Sequence, residues 1–248
     1  NAGAILVFIN AYQVTGDSEY LEYAKQAGDL LLASAIQCDV GIGWKGKMTS
    51  KPLTGFAHGS SGIMLAFLKL GDITHDQRYL KAAYQAFCYE ESQYMSSHKN
   101  WRDLRYEDDM IVRYDKMAWC HGWGGIVAAR NVAMDYAPRQ MKELLRDFVD
   151  FDVTKSYDIM DDDKLCLCHG KLGNIVLEDV FGRENNCRDK YIQIADELYE
   201  SKACLRKKMT MQECDNFGLM GGISGIGYSM LADMEELKFL MLLNAKED

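Results

Sequence analysis

The sequence predicts an all-α fold, an α/α toroid in which inner and outer helices alternate. Three observations predict it. Only Pro52 and Pro138 interrupt the 248 residues, and apolar side chains recur at three- and four-residue spacing over long stretches. Short turns of small, mostly glycine residues recur five times, each opening an apolar run. In the first two units the helix opened by the turn is almost wholly apolar, whereas its follower is amphipathic. A helix that is apolar all round needs neighbours all round, which a closed ring of helices supplies and an open solenoid does not.

The elements follow in order. Asn1-Ala2-Gly3-Ala4-Ile5 opens the first apolar helix, and its follower runs from Asp17 to Ala35 with Tyr20, Leu21, Ala24, Ala27, Leu30 and Leu31 on one face. Gly59-Ser60-Ser61-Gly62-Ile63 opens the second unit, whose follower spans Asp76 to Tyr94 with Tyr79, Leu80, Ala83, Tyr84 and Phe87 in register. The acidic stretch Tyr106 to Tyr114 reads as a surface loop before the third turn, Gly122-Trp123-Gly124-Gly125-Ile126. A second such loop, Tyr157 to Leu165, contains Asp161-Asp162-Asp163, most simply a solvated turn. Gly170-Lys171-Leu172-Gly173-Asn174 and Gly222-Ile223-Ser224-Gly225-Ile226 open the last two units. The last glycines of the turns stand 59, 63, 48 and 52 residues apart, room for two helices and their loops, so each unit reads as a helical hairpin. No Val/Ile/Thr-rich alternating run bounded by turns competes as a strand.

With 48% apolar and 26% charged residues the chain can bury a sizeable core. A net charge of -9 and a pI near 5.1 exclude a broad basic surface, and with it a non-specific nucleic-acid or anionic-membrane binder. The longest apolar stretch, around Ala4 to Ile9, is far shorter than the ~20 residues of a membrane helix, and no secretory leader is evident. A soluble, cytoplasmic protein with no membrane span is expected. The chain opens on Asn1 and enters an apolar helix with no cap, so it reads as part of something longer. Eight cysteines in a chain with so large a core suggest thiols or metal ligands rather than a disulfide framework.

The chemistry lies in the turns. Aligning the units on the last glycine of each places His58, His121 and His169 at one position, with Cys120 and Cys168 one residue earlier. In a toroid equivalent turns share one mouth, so these residues converge. Two cysteines and one histidine make a three-ligand zinc site with its fourth position open to water or substrate, which is catalytic in type. Spacing leaves His121 and His169 as alternatives for the third ligand and does not exclude Cys166. A histidine left over on the rim, His58 above all, is a candidate proton donor or acceptor. The competing reading makes Cys120 and Cys168 small buried hydrophobes at crowded helix starts. Cys38, Cys88, Cys187 and Cys204 show no second pattern and read as structural thiols, while His75 and His98 read as exposed. Lys116, four residues before Cys120, is a further candidate near the metal, steadying a developing negative charge.

Gly55-Phe56-Ala57-His58-Gly59, Trp119-Cys120-His121-Gly122, Cys168-His169-Gly170-Lys171-Leu172-Gly173-Asn174 and the closing run from Gly218 to Tyr228, with Gly222, Gly225 and Gly227, occur in an order that resembles the LanC-like lanthionine cyclases. More narrowly, the chain resembles the C-terminal cyclase domain of LanM-type (class II) lanthipeptide synthetases, over its whole length. The resemblance implies an α-toroid with one zinc on Cys120, Cys168 and His169, and His58 as an acid/base residue. It implies the reaction too, Michael addition of a precursor-peptide cysteine thiol to dehydroalanine or dehydrobutyrine to form lanthionine or methyllanthionine rings. The implied partners are a dehydrated precursor peptide with its leader and an N-terminal dehydratase domain upstream in the same polypeptide.

Two departures stand out. Gly124 replaces the proline usual two residues after the glycine of Trp-Cys-x-Gly. The family's active-site aspartate precedes the first turn seen here and would lie upstream of residue 1. Residues 1–248 are therefore expected to be the C-terminal part of a cyclase domain, lacking the early toroid units, with activity of this part alone left open. The alternatives are a LanC-like zinc protein that adds glutathione to dehydrated peptides, a non-catalytic peptide-binding fragment, and a toroidal glycosidase. The last would need paired carboxylates where these turns offer histidine and cysteine.

Overall fold

A computed structural model describes residues 2–47, 49–105, 118–146, 164–182, 186–200 and 216–244. Among the described residues the helices follow one another as five consecutive pairs, the first four of which pack as hairpins, as the repeat predicts. They are α1 (Ala2–Thr15) with α2 (Ser18–Ala33), α3 (Ser60–Thr74) with α4 (Gln77–Glu91), α5 (Trp123–Ala133) with α6 (Arg139–Arg146), α7 (Lys171–Val180) with α8 (Cys187–Glu200), and α9 (Ile223–Leu231) with α10 (Met234–Leu240). The glycine-led helices pack in series, α1 on α3, α3 on α5 and α5 on α7, while α7 meets α10 and α9 meets α8, and each of the first four pairs closes on itself. The three middle inner helices are buried nearly all round, every residue of α3 from Ser60 to Gly71 among them, whereas outer α2 buries only Ala24, Gly28 and Leu31. Against the expectation of a fully enclosed inner helix, α1 buries only Ile5, Leu6, Ile9 and Asn10, and α9 only Gly225, Ile226 and Ser229. Among the described residues no helix is long and apolar enough to cross a membrane.

The two classes of helix begin differently. Outer helices α2, α4 and α10 start on aspartates, Asp17, Asp76 and Asp233, whose carboxylates accept N–H bonds of the first turn, with a full capping box between Asp233 and Glu236. Inner helices α3, α5, α7 and α9 start on Gly59, Gly122, Gly170 and Gly222, with no side-chain cap. Their first N–H groups donate instead to backbone carbonyls seven residues upstream: Ser60 to Leu53 (3.0 Å), Gly125 to Ala118 (2.9 Å), Lys171 to Lys164 (3.0 Å) and Ile223 to Asn216 (2.8 Å). Each inner helix thus folds its preceding turn back over its own start. That fold leaves no room for a side chain at the last glycine of the turn. A Cβ at Gly62, Gly125, Gly173 or Gly225 would lie 2.1, 2.0, 1.8 or 1.7 Å from the carbonyl oxygen six residues earlier, on Phe56, Trp119, Leu167 and Leu219 respectively.

The chain after α10 turns inward. Met241 and Leu243 are buried, the Trp119 indole donates to the Met241 carbonyl (3.0 Å), and Lys69 on α3 donates to the Asn244 carbonyl (3.0 Å). This segment ties the third unit and the second to the end of the chain. Contrary to the strand-free expectation, two small antiparallel hairpins form, β1 (Ile36–Gln37) with β2 (Ile42–Gly43) and β3 (Tyr94–Met95) with β4 (Asn100–Trp101). Two residues per strand are too few for an alternating pattern to register in sequence. The predicted loop Tyr106 to Tyr114, Lys116, Asp161 to Asp163, Cys204 and Cys214 lie outside the described residues.

The glycine contacts carry a stability prediction. Gly173→Ala should cost about 3 kcal/mol or more, because a backbone carbonyl cannot step aside, whereas Gly227→Ala in α9, with nothing within 4 Å of the added methyl, should be neutral or stabilising by up to ~1 kcal/mol. Urea unfolding of the two variants checks the contrast, and equal effects would contradict it.

Candidate metal centre

The turns before α3, α5, α7 and α9 are linked in series through their backbones. Ala57 N–H donates to the Cys120 carbonyl (3.0 Å), Cys120 N–H to the Cys168 carbonyl (3.4 Å), and Cys168 N–H to the Met220 carbonyl (2.8 Å). These four residues are equivalents, each five before the last glycine of its turn. The ladder holds the Cys120 and Cys168 backbones side by side although 48 residues separate them.

One ligand atom each from Cys120, Cys168 and His169 lies within 4.8 Å of the others. Two thiols and an imidazole at that separation fit one tetrahedral zinc ion with a position to spare. Cys120 is buried, and Cys168 and His169 are half-buried. The Cys120 thiol is pushed well below its usual value, first by the hydrogen bond from Cys168 and, against burial, by those from His121 and His169. Cys168 is pushed up by donating that bond and by burial. His169 is raised to about 9 by hydrogen bonds to Cys120 and Cys166. The set therefore carries one thiolate, one thiol and an imidazolium, with two protons to surrender to a metal.

The other predicted residues fall around this cluster. His121 is outside the three-donor set. It is buried, with Nδ1 3.0 Å from Cys120 Sγ and Nε2 2.7 Å from an Arg105 guanidinium nitrogen. Cys166, buried, hydrogen-bonds His169. His58 is exposed in the turn entering α3, one residue from the ladder at Ala57. That turn is anchored from below: Gly55 N–H (3.0 Å) and the Ser61 hydroxyl both donate to the Glu90 carboxylate, which is buried on α4 and 3.3 Å from Arg130 on α5. Burial pushes the Glu90 carboxyl up, opposed by Arg130 and by the two donors. Gly55 has φ +102°, and a Cβ there would sit 2.9 Å from His121 Cα. His75 and His98 are exposed, Cys38 and Cys88 half-buried and Cys187 buried.

Sequence reasoning missed Glu90, Asp103 and Arg105. Asp103 accepts three bonds from Arg105, from its backbone N–H at 3.2 Å, from Nε at 2.8 Å and from a terminal nitrogen at 2.6 Å, beside His121. Neither residue belongs to a repeated turn, so nothing in the spacing marks them; the Asp103-x-Arg105 pair is the only local sign.

The family model described as lanthionine synthetase C-like protein matches residues 1–243. The chain is 28% identical over 241 residues to the lacticin 481/lactococcin biosynthesis protein LcnDR2 of Lactococcus lactis subsp. lactis, covering 88% of this chain and 24% of that protein. It thus spans about a quarter of that relative's length. Among solved structures it resembles a cellobiose 2-epimerase from Bacillus thermoamylovorans, with a TM-score of 0.52 over 80% of this chain and 59% of that one. At 14% identity that likeness concerns the fold alone.

Metal uptake should be pH-dependent in a defined direction. Because Cys168 holds its proton and His169, at about 9, is protonated at pH 7, binding zinc should release about two protons per ion, and affinity should fall as pH is lowered through neutrality. Calorimetric titration in buffers of different ionisation enthalpy counts the protons. Zinc binding with no proton release would contradict the assignment.

Proposed function

Because the chain belongs to the lanthionine synthetase C-like family, we propose that it is a zinc-dependent lanthipeptide cyclase domain. It joins cysteine thiols of a precursor peptide to dehydroalanine or dehydrobutyrine, forming lanthionine and methyllanthionine rings. The observation that carries this reading is the convergence of Cys120, Cys168 and His169 within 4.8 Å, in a chain related to a lacticin 481 biosynthesis protein. Cys120, Cys168 and His169 would hold zinc, which supplies the Lewis acidity that takes a thiol to its thiolate near neutral pH.

The chain's own residues account for the remainder. As anionic donors, Cys120 and Cys168 would leave little net positive charge at the site, which would keep a substrate thiolate nucleophilic. Attack forms the sulfur–carbon bond at the alkene β carbon, and the alkene pair moves toward the adjoining carbonyl as an enolate. A proton must then reach the α carbon. His58 would deliver it directly or through water, a role supported by its exposure on the turn entering α3, next to Ala57, which bonds the Cys120 carbonyl. The buried Glu90 holds that turn through Gly55 and Ser61, so the histidine sits on a rigid support. The substrate would be a dehydrated precursor peptide with its leader, and a dehydratase domain upstream in the same polypeptide would generate its alkenes.

Given a dehydrated precursor peptide, the protein should convert its free thiols to thioethers, seen by mass spectrometry as lost reactivity toward a thiol alkylating agent. Cys168→Ala should lose zinc and turnover together. His58→Asn should keep one zinc and slow cyclisation about 10²-fold or more. An unchanged rate in His58→Asn would remove it from the reaction.

A further inference from the structure

We propose that Asp103, Arg105 and His121 form a positioning relay that fixes an N–H donor on the Cys120 sulfur. The inference rests on the zinc reading of that sulfur and concerns how the ligand is tuned. It follows from donor and acceptor inventories. A guanidinium carries only donors. An Arg105 nitrogen 2.7 Å from His121 Nε2 therefore obliges Nε2 to accept, since a proton there would meet an arginine proton head on. The proton of the neutral ring must then sit on Nδ1. Nδ1 lies 3.0 Å from Cys120 Sγ, so it donates to that sulfur.

Each part is held from behind. The Arg105 guanidinium is oriented by two bonds to Asp103, whose side chain is 7% exposed. Burial alone would raise that carboxyl, but the hydrogen bonds and charge of Arg105 outweigh it and keep Asp103 ionised. His121 has little freedom to turn, being buried, with Gly55 packed against its Cα and Ala57 bonded to the carbonyl before it. Arg105 also brings its positive charge to bear on Cys168, favouring the ionised form. The relay is the sulfur counterpart of the carboxylate–histidine pairs that orient metal ligands. An N–H bond on a thiolate withdraws electron density from it. Cys120 thereby becomes a weaker donor than Cys168, and the two sulfurs are unequal although the repeat makes them equivalent.

Two readouts test this, neither of them activity. In the zinc-loaded protein, two-bond ¹H–¹⁵N spectra should show His121 as the Nδ1–H tautomer, and Arg105→Met should shift it toward Nε2–H, with Arg105→Lys restoring Nδ1–H at least in part. In the cobalt-substituted protein, the sulfur-to-cobalt charge-transfer band should move to lower energy in His121→Phe and Arg105→Met, with one cobalt still bound per chain. A wild-type band that is abolished by Cys120→Ala but does not move in either relay variant would overturn the relay and leave the metal site standing. A wild-type protein that binds cobalt with no sulfur-to-cobalt band would overturn both. Should Arg105→Met not fold, His121→Phe and the wild-type tautomer carry the test, and a wild-type Nε2–H ring would sink the proposal.

Discussion

Three backbone hydrogen bonds, from Ala57 to Cys120, from Cys120 to Cys168 and from Cys168 to Met220, set the spacing of everything at this end of the inner helices. They require four equivalent turns to lie flat against one another. Each turn lies flat only because it folds back over its own helix start, and that fold puts a carbonyl where a Cβ would be at Gly62, Gly125, Gly173 and Gly225. The glycines are therefore a condition of the Cys120, Cys168 and His169 cluster without touching it. A side chain at any of them would push a turn outward, break a rung and separate the ligands. The uncapped starts of the inner helices follow from the same geometry, since their first N–H groups are consumed by the folded-back turn.

A second layer of polar structure holds the ladder to the outer helices. Glu90, buried on α4, receives the turn of the second unit through Gly55 and Ser61 and meets Arg130, whose guanidinium lies 4.6 Å from the Trp101 ring and 4.9 Å from Phe87. A buried ion pair adds little net stability over an apolar substitute, because desolvation offsets the attraction, whereas loss of one partner costs about 3–5 kcal/mol. Such a pair chiefly specifies: only one placement of the His58 turn satisfies the Glu90 oxygens. On the far side, Trp119 packs edge-on against Phe56 and donates to the Met241 carbonyl, so the residue before Cys120 is fixed by both the second unit and the end of the chain.

The repeat and the inner and outer classes of helix were legible because they rest on periodicity and on glycine, which the chain cannot disguise. Asp17 and Asp76 sit as N-caps where the followers were read to begin. The convergence of Cys120, Cys168 and His169 was legible for the same reason, since equivalence in a repeat becomes adjacency in space. Spacing alone could not separate His121 from His169: both occupy one position in the repeat, and the choice lies in which way each ring turns. The ring of His121 is turned by Arg105 and Asp103, which lie outside any repeat. The inner helices also hide charge that composition does not reveal. Lys69 is 3% exposed beside Asn244 and the Tyr136 ring, with burial lowering it to about 8, and Arg130 is fully buried. Both are long side chains whose partners come from other units, so no local pattern announces them.

On the proposed function, the ladder would deliver two sulfurs and one imidazole nitrogen to a single zinc, with a position left for a substrate thiol. X-ray absorption at the zinc edge measures this directly. The zinc-loaded protein should show two sulfurs at about 2.3 Å, one imidazole nitrogen near 2.0 Å and one light atom, and a cysteine-containing dehydrated peptide should replace the light atom with a third sulfur. A shell of nitrogen and oxygen alone, or a sulfur count that does not rise when the peptide binds, would contradict it.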